Sequence, residues 1–226
     1  MKRPNRFLRF VSGVFLGLAV FALSVAGVYV GRMAGGKLLD YLDFGSPKEK
    51  VDYTFLKWNF KLGFERNKEV EVFAPRQAAM EQSTEHVTQG THSLWVEFPA
   101  GRSYPGIATE VYGRDCFDWS DMEEFSFDVY NGIELPARLT VKLKSGRQDP
   151  KKQYETTLTL PAQETGRVRI YRRELESVLD LECVSGINIF MQDPATTYYL
   201  YFDNFRVVSM SRRQTPEPEV KEVKIE

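Results

Sequence analysis

The sequence predicts an all-β protein, an antiparallel β-sandwich, preceded by one N-terminal transmembrane helix. Many short segments alternate apolar and polar residues with a period of two, as strands with one buried face do. Clusters of Gly, Pro, Asn and Asp separate these segments and indicate turns. A run of 22 residues without a charge lies near the N-terminus of the 226-residue chain and predicts the membrane helix.

The uncharged run covers residues 10–31, and at about 1.5 Å per residue a helix of this length crosses the roughly 30 Å hydrocarbon layer. Four basic residues lie in segment 1–9, so the positive-inside rule keeps this segment in the cytoplasm and exports the rest of the chain. We therefore expect a single-pass protein of the cytoplasmic membrane with a periplasmic or extracellular body. A signal peptide cleaved after Ser24-Val25-Ala26 is the open alternative, and it also exports the body.

Small residues form a stripe along the predicted membrane helix. Gly13 and Gly17, and again Gly27 and Gly31, match the G-x-x-x-G pattern that lets two helices approach closely, which predicts a homodimer. The general abundance of glycine in membrane helices is the alternative explanation.

The remainder of the chain divides by composition into a linker, a single domain and a tail. Residues 32–52 form the linker, and residues 53–210 match the size of one domain. Residues 211–226 contain two prolines, alternating charges and no aromatic residue. Such a segment buries too little apolar surface to fold alone, so we expect a disordered tail.

Within residues 53–210 the alternating segments define the strands in order and the side chains that face inward. Residues 198–208 form a final, aromatic strand, and 173–181 is the one segment with a helical pattern. Many short strands with little helix favour two antiparallel sheets packed face to face. The inward positions are Leu94, Val96, Phe98, Phe125, Phe127, Val129, Leu139, Val141, Leu143, Leu158, Leu160, Val168, Ile170, Ile187, Ile189 and Met191.

Charge and motifs exclude several functions. The chain has a net charge of −1, but its first 37 residues contain six basic and no acidic residues, which leaves −7 for the rest. A body of that sign repels phosphate backbones, so we expect no nucleic-acid partner. The sequence also lacks a nucleophile elbow, a phosphate-binding loop and an H-E-x-x-H zinc motif, and Glu123 and Glu124 point to opposite faces of a strand. We therefore expect no enzymatic activity.

Two cysteines, Cys116 and Cys183, lie in the predicted exported body, where accessible thiols oxidise. A disulfide and two buried thiols are both compatible with the sequence, because the bridge requires a Cα separation below about 7 Å.

Several short motifs occur in a familiar order. Gly63-Phe64-Glu65, the run 86–96, Asp118-Trp119-Ser120 and the closing run 201–207 resemble the galactose-binding-like jelly-roll domains found among carbohydrate-binding modules. The resemblance covers residues 64–208.

This resemblance implies a structural calcium ion. Its ligands would be Glu65 and Asp203, with backbone carbonyls around residues 88–90, since Ca²⁺ prefers six to eight oxygen ligands. The sequence departs from the family at Arg66, whose charge beside Glu65 could replace the ion. The alternative is a Glu65–Arg66 surface pair and an Asp203 held by backbone N–H groups.

Sugar recognition requires an aromatic face for the apolar side of a pyranose and polar groups for its hydroxyls. The outward strand positions supply eight candidates: Trp95, Asp128, Tyr130, Lys142, Arg169, Asn188, Phe190 and Gln192. Whether Trp95 and Phe190 are exposed or covered by another segment is left open.

The sequence thus predicts a membrane-anchored, non-catalytic carbohydrate-binding module of the cell envelope that stacks aromatic side chains on a glycan. The alternative is an assembly module that binds another envelope protein through the same face, with self-association of the membrane helix. A concave face with polar neighbours favours a glycan, and a flat apolar face favours a protein partner. A glycosidase would need two facing acids about 5 to 9.5 Å apart.

Overall fold

The computed structural model describes residues 56, 59–110, 116–146 and 152–210. The chain divides into two compact units, 1–50 and 51–226, and the described fold belongs to the second. The predicted membrane span 10–31, its flanking segments 1–9 and 32–52, and the predicted tail 211–226 lie outside the described residues. Within the described ranges no helix has the length and apolarity needed to cross a membrane.

The described residues form eleven strands in two antiparallel sheets, which confirms the all-β prediction. The six-stranded sheet has the order β3-β4-β11-β6-β9, with β1 also paired to β11, and the five-stranded sheet has the order β2-β5-β10-β7-β8. The strands are β1 Lys61–Leu62, β2 Ala74–Arg76, β3 Ala79–Ser83, β4 Ser93–Phe98, β5 Gly106–Glu110, β6 Met122–Asn131, β7 Ala137–Ser145, β8 Gln153–Leu160, β9 Thr165–Tyr171, β10 Val184–Phe190 and β11 Tyr198–Ser209.

The described residues contain two α-helices of about one turn each, α1 Asn67–Val70 and α2 Arg172–Leu175. The helix predicted over 173–181 is therefore too long. Its apolar residues Leu175 and Leu179 are both buried. After Leu175 the backbone forms a turn, in which the N–H groups of Val178 and Leu179 donate hydrogen bonds to the Leu175 carbonyl.

The two sheets enclose one apolar core. All sixteen side chains predicted to face inward are at most 2 % exposed, so strand alternation identified this layer correctly. Aromatic rings fill its centre: Phe127 and Phe205 lie parallel with centroids 4.6 Å apart, and Trp119 packs on Phe125 at 5.0 Å. Close packing of this kind is the main source of stability in a sandwich.

A bulge in β11 determines which of its side chains enter the core. Asp203 pairs with Asp128, but Arg206 pairs with Ser126, so β11 has one extra residue at this point. The extra residue is Asn204, with a φ of 53°. The bulge resets the alternation, and Phe202 and Phe205, three positions apart, are both fully buried.

A disulfide joins Cys116 to Cys183 with a Cα separation of 4.9 Å, which decides between the two alternatives left by the sequence. Next to it, Phe117 and Val184 exchange two backbone hydrogen bonds of 2.9 Å. The covalent bond therefore connects the segment that leads into β6 of one sheet with the start of β10 in the other.

We expect the double substitution Cys116→Ala and Cys183→Ala to lower the free energy of unfolding by about 4 kcal/mol, because the disulfide restrains a long loop in the unfolded chain. The cysteines are 67 residues apart. Denaturant unfolding of the variant, compared with the wild type with and without a reductant, measures the effect. A loss below about 1 kcal/mol would contradict the expectation.

Candidate functional site

The structure places the eight predicted ligand residues on two opposite outer faces and not on one surface. Four of them belong to strands of the six-stranded sheet: Trp95, Asp128, Tyr130 and Arg169. The other four lie on the five-stranded sheet or directly after it: Lys142, Asn188, Phe190 and Gln192. Alternation distinguishes inward from outward positions but does not tell which sheet a strand joins, so the sequence combined the two sets.

Loop 84–92 covers the middle of the six-stranded sheet's outer face. Beneath it, Asp128 is fully buried and Arg167 is 1 % exposed. The guanidinium of Arg167 donates from Nε and Nη2 to the Asp128 carboxylate at 2.6 and 3.0 Å. The Thr88 hydroxyl donates to the same carboxylate at 2.7 Å. Asp128 therefore holds the fold together and does not reach a ligand, and Arg167 is a structural residue that the sequence analysis missed.

The aromatic residues of this face also contact other rings of the protein. The His86 ring stacks on Tyr130 with centroids 3.5 Å apart, and Trp95 lies almost parallel to Tyr199 at 6.1 Å. Burial and the hydrogen bond that its hydroxyl donates to Glu85 raise the pKa of Tyr201 to about 12. The fourth predicted residue, Arg169, pairs with Glu124 at 3.0 Å. The loop covers the middle of this face, and its remaining aromatic surface is the half-buried Trp95 beside Tyr199, which is 39 % exposed.

The outer face of the five-stranded sheet contains a groove of 520 Å³. All four predicted residues of this sheet line it, so the structure brings that half of the prediction together. Three further residues contribute side chains: Arg76, Tyr104 and Glu155. Arg76 ends a three-residue strand that is too short to show alternation, which explains why the sequence did not identify it.

Small residues of β5 form the floor of the groove. Gly106 and Ala108 lie opposite Phe190 and Asn188 of β10. A Cβ atom on Gly106 would lie 2.3 Å from the carbonyl oxygen of Ile189 and 2.7 Å from the Cβ of Phe190, so glycine is required at this position. Because the outward positions of β5 are glycine and alanine here, the rings of Phe190 and Tyr104 stand higher than the floor.

Aromatic and polar groups face each other across this floor. The rings of Tyr104 and Phe190 meet edge to face with centroids 5.8 Å apart. Lys142 Nζ lies 2.6 Å from the Glu155 carboxylate and 5.9 Å from the centroid of the Phe190 ring. The Asn188 Oδ1 atom is buried and accepts no hydrogen bond. A buried acceptor without a donor costs about 1 to 3 kcal/mol, which a bound hydroxyl group would recover.

The first predicted calcium ligand, Glu65, holds one end of loop 84–92. Its Oε1 accepts hydrogen bonds from the N–H groups of Thr91 and His92 at 2.7 and 3.2 Å, and its Oε2 accepts one from the Thr91 hydroxyl at 2.6 Å. The Thr91 hydroxyl, followed by the Thr91 N–H, lowers the pKa of Glu65 to about 2. Gly90 packs directly on this carboxylate, where a Cβ atom would clash at 2.0 Å.

The second predicted ligand, Asp203, holds the middle of the loop. Its Oδ2 accepts hydrogen bonds from the N–H groups of Thr88 and Gln89, both at 2.7 Å, and its Oδ1 accepts one from the Asn204 N–H at 2.6 Å. Burial raises the pKa of Asp203, while these N–H donors act in the opposite direction. Asp203 is thus held by backbone N–H groups, as the alternative to calcium proposed.

Calcium binding is a prediction that these contacts do not favour. Ca²⁺ requires oxygen ligands, whereas N–H and O–H donors surround both carboxylates in the direction of the loop. Across the described ranges no group of three or more His, Cys, Asp and Glu side chains has the arrangement of a metal site. Arg66 pairs at 2.6 Å with Glu69 and not with Glu65, so it does not replace the ion in the expected way.

No protein-family model and no curated protein matches the chain. Solved structures do match. A family 11 carbohydrate-binding module from a cellulosomal cellulase of Clostridium thermocellum superposes with a TM-score of 0.51 at 14 % identity, over 69 % of this chain and 98 % of that one. An exo-β-agarase and a second agarase give TM-scores of 0.53 and 0.52 at 13 % identity, over 69 % and 70 % of this chain.

The chain spans about a quarter of each agarase chain, 25 % in both cases. It spans almost the whole of the carbohydrate-binding module. The fold is therefore the β-sandwich of the carbohydrate-binding modules, which confirms the resemblance to the galactose-binding-like jelly roll.

We expect the melting temperature of the full chain to be the same in excess EDTA and in excess calcium chloride, because hydrogen-bond donors already satisfy Glu65 and Asp203. A ligand that binds only the folded state raises this temperature, so thermal unfolding under the two conditions is a direct test. A higher melting temperature in calcium chloride would establish a calcium site.

Replacement of Thr91 by alanine removes the donor that contributes most to the low pKa of Glu65, and we expect that pKa to rise from about 2. NMR titration of the Glu65 side-chain carbon measures the change, and Thr91→Ser, which retains the hydroxyl, is the matched control. Since the pKa is lower in the folded than in the unfolded chain, Glu65 contributes stability above its ordinary pKa that is lost as the pH falls through about 2. An unchanged pKa in Thr91→Ala would contradict this assignment.

Proposed function

We propose that the chain is a non-catalytic glycan-binding module whose ligand lies in the groove on the outer face of the five-stranded sheet. The observation that carries the proposal is the buried, unpartnered Asn188 Oδ1 beside the aromatic rings of Phe190 and Tyr104. The likeness of the fold to a carbohydrate-binding module supports it.

The shape of the groove suits a sugar chain. Its volume of 520 Å³ falls within the range of about 300 to 1,000 Å³ typical of small-molecule sites. Tyr104 is 54 % exposed, and its ring offers an apolar surface on which the C–H face of a pyranose can stack. The low floor at Gly106 gives the sugar access to the Phe190 ring from the side.

The polar groups of the groove suit the hydroxyl groups of a sugar. Asn188 Oδ1 requires a donor, and a hydroxyl group supplies one. Lys142 and Glu155 provide a donor and an acceptor on the next two strands, and Gln192 is exposed at the end of the groove. A groove with aromatic and polar groups together favours a glycan over a protein partner, for which a flat apolar surface was expected.

The distribution of acids supports binding without catalysis. A glycosidase needs two carboxyl groups about 5 to 9.5 Å apart on either side of the scissile bond. Among the described residues that line the groove, Glu155 is the one acid, and it pairs with Lys142 at 2.6 Å. Binding therefore accounts for this set of residues better than hydrolysis does.

The position of the module in the cell is a second part of the proposal. The uncharged run 10–31 would anchor it in the cytoplasmic membrane, with segment 1–9 inside and the sandwich exported, and the glycine stripe would pair two such helices. These statements rest on the sequence alone.

We expect Phe190→Ala to weaken glycan binding about tenfold, because it removes the stacking surface. Asn188→Ala should weaken binding at least as much, because it removes the acceptor for a sugar hydroxyl. Trp95→Ala, on the opposite sheet, is the control and should leave the affinity unchanged. A glycan array identifies the ligand, and calorimetry with the full chain then compares the four proteins. Loss of binding in Trp95→Ala with normal binding in Phe190→Ala would place the site on the other sheet.

A further inference from the structure

We infer that the glycan bound in this groove is acidic and carries carboxylate or sulfate groups. This inference rests on the proposed function and specifies its ligand. It follows from the placement of charged residues over the outer face of the five-stranded sheet.

Strand β7 presents a row of cations outward. Its inward positions are the buried residues Leu139, Val141 and Leu143, so Arg138, Thr140, Lys142 and Lys144 occupy the opposite side of the strand. Outward positions on one strand are about 6.8 Å apart, and the row from Arg138 to Lys144 is therefore about 20 Å long. The length and spacing of this row suit a linear polysaccharide with regularly repeated negative charges.

A fourth cation stands on the other side of the groove. Arg76 belongs to β2, and the sheet order β2-β5-β10-β7 places it three strands from Lys142. At about 4.8 Å per strand the two cations flank a floor roughly 14 Å wide. Both residues line the groove, and the floor between them carries uncharged Gly106, Ala108 and Asn188.

Among the described residues that line the groove, the cations outnumber the acids. Arg76 and Lys142 are the cations, and Glu155, which pairs with Lys142, is the one acid. This balance contrasts with the net charge of −7 of the chain beyond residue 37.

The β3–β4 edge of the opposite sheet shows the reverse pattern, while Arg167 and Arg169 of that sheet pair with Asp128 and Glu124. Residues 77–101, which contain β3 and β4, include Glu81, Glu85 and Glu97 but no Lys or Arg. An anionic polymer is repelled from this edge and attracted to the groove, because a surface of one sign concentrates ligands of the other.

The cations also have the chemistry for carboxylate and sulfate groups. The planar guanidinium of Arg76 can donate two parallel N–H bonds to one carboxylate. The ammonium of Lys142 has three donors, of which the 2.6 Å bond to Glu155 uses one. An acidic sugar can therefore bind Lys142 from the groove side while Glu155 stays on the neighbouring strand.

The test titrates the full chain with matched pairs of oligosaccharides in a calorimeter. Oligogalacturonate is compared with its carboxyl-reduced form, and a sulfated galactan oligosaccharide with its desulfated form. We expect the acidic member of at least one pair to bind about tenfold more tightly and to weaken as sodium chloride is raised. The pair with the larger difference identifies carboxylate or sulfate as the preferred group.

Variants assign the effect to the row on β7. Lys144→Gln and Arg138→Gln should each weaken binding of the acidic member severalfold and leave the neutral member unchanged. Lys61→Gln, in β1 of the other sheet, makes the same charge change and should have no effect. Circular dichroism of each variant confirms that it is folded, so a loss of affinity reports on the site.

The outcomes separate the two proposals. Equal affinity for the acidic and neutral members overturns the acidic ligand and leaves the glycan-binding function in place. Equal losses in Lys61→Gln and Lys144→Gln, or binding of inorganic polyphosphate as tight as that of the acidic oligosaccharide, indicate a general charge effect and also overturn it. An absence of binding to every oligosaccharide, acidic or neutral, and to a glycan array overturns the proposed function itself.

Discussion

The buried ion pair between Arg167 and Asp128 holds loop 84–92 against the outer face of the six-stranded sheet. Neither side chain is more than 1 % exposed, so their charges must be satisfied within the protein. The two side chains pair with each other, and the Thr88 hydroxyl of the loop donates to the same carboxylate. An isolated buried charge is costly, which makes the ion pair and the loop mutually dependent. The loop covers the middle of this outer face as a result, and the groove lies on the opposite sheet.

The two sheets therefore have different roles although they share one core. The outer side of the six-stranded sheet holds a loop, with Asp203 accepting N–H groups from the middle of the loop and Glu65 from its end. The five-stranded sheet has a groove on its outer face, lined by Lys142, Asn188 and Phe190. Its groove exists because β5 has Gly106 and Ala108 where larger side chains would fill the space, and Phe190 stands beside them. The small size of Gly106 and Ala108 therefore creates the space for the candidate site.

Strand alternation predicted the core and four of the residues that line the groove, because burial follows a period of two wherever one face of a sheet is covered. Leu139, Val141 and Leu143 are buried as expected. The same pattern placed Asp128 outward, which is correct for the strand, but its burial depends on a loop 40 residues away in sequence. The distance between the cysteines and the contribution of Arg76 likewise arise from tertiary pairing, which no local pattern encodes.

The short strand β2 has an evolutionary consequence. It consists of three residues, Ala74–Arg76, at the edge of its sheet, and it pairs with β5 alone. Insertions or exchanges there would reshape one bank of the groove while the core, built from the longer central strands, kept its packing. Evolution could therefore vary the lining of this groove at little risk to folding, since the edge of the groove and the packing of the core are formed by separate parts of the chain.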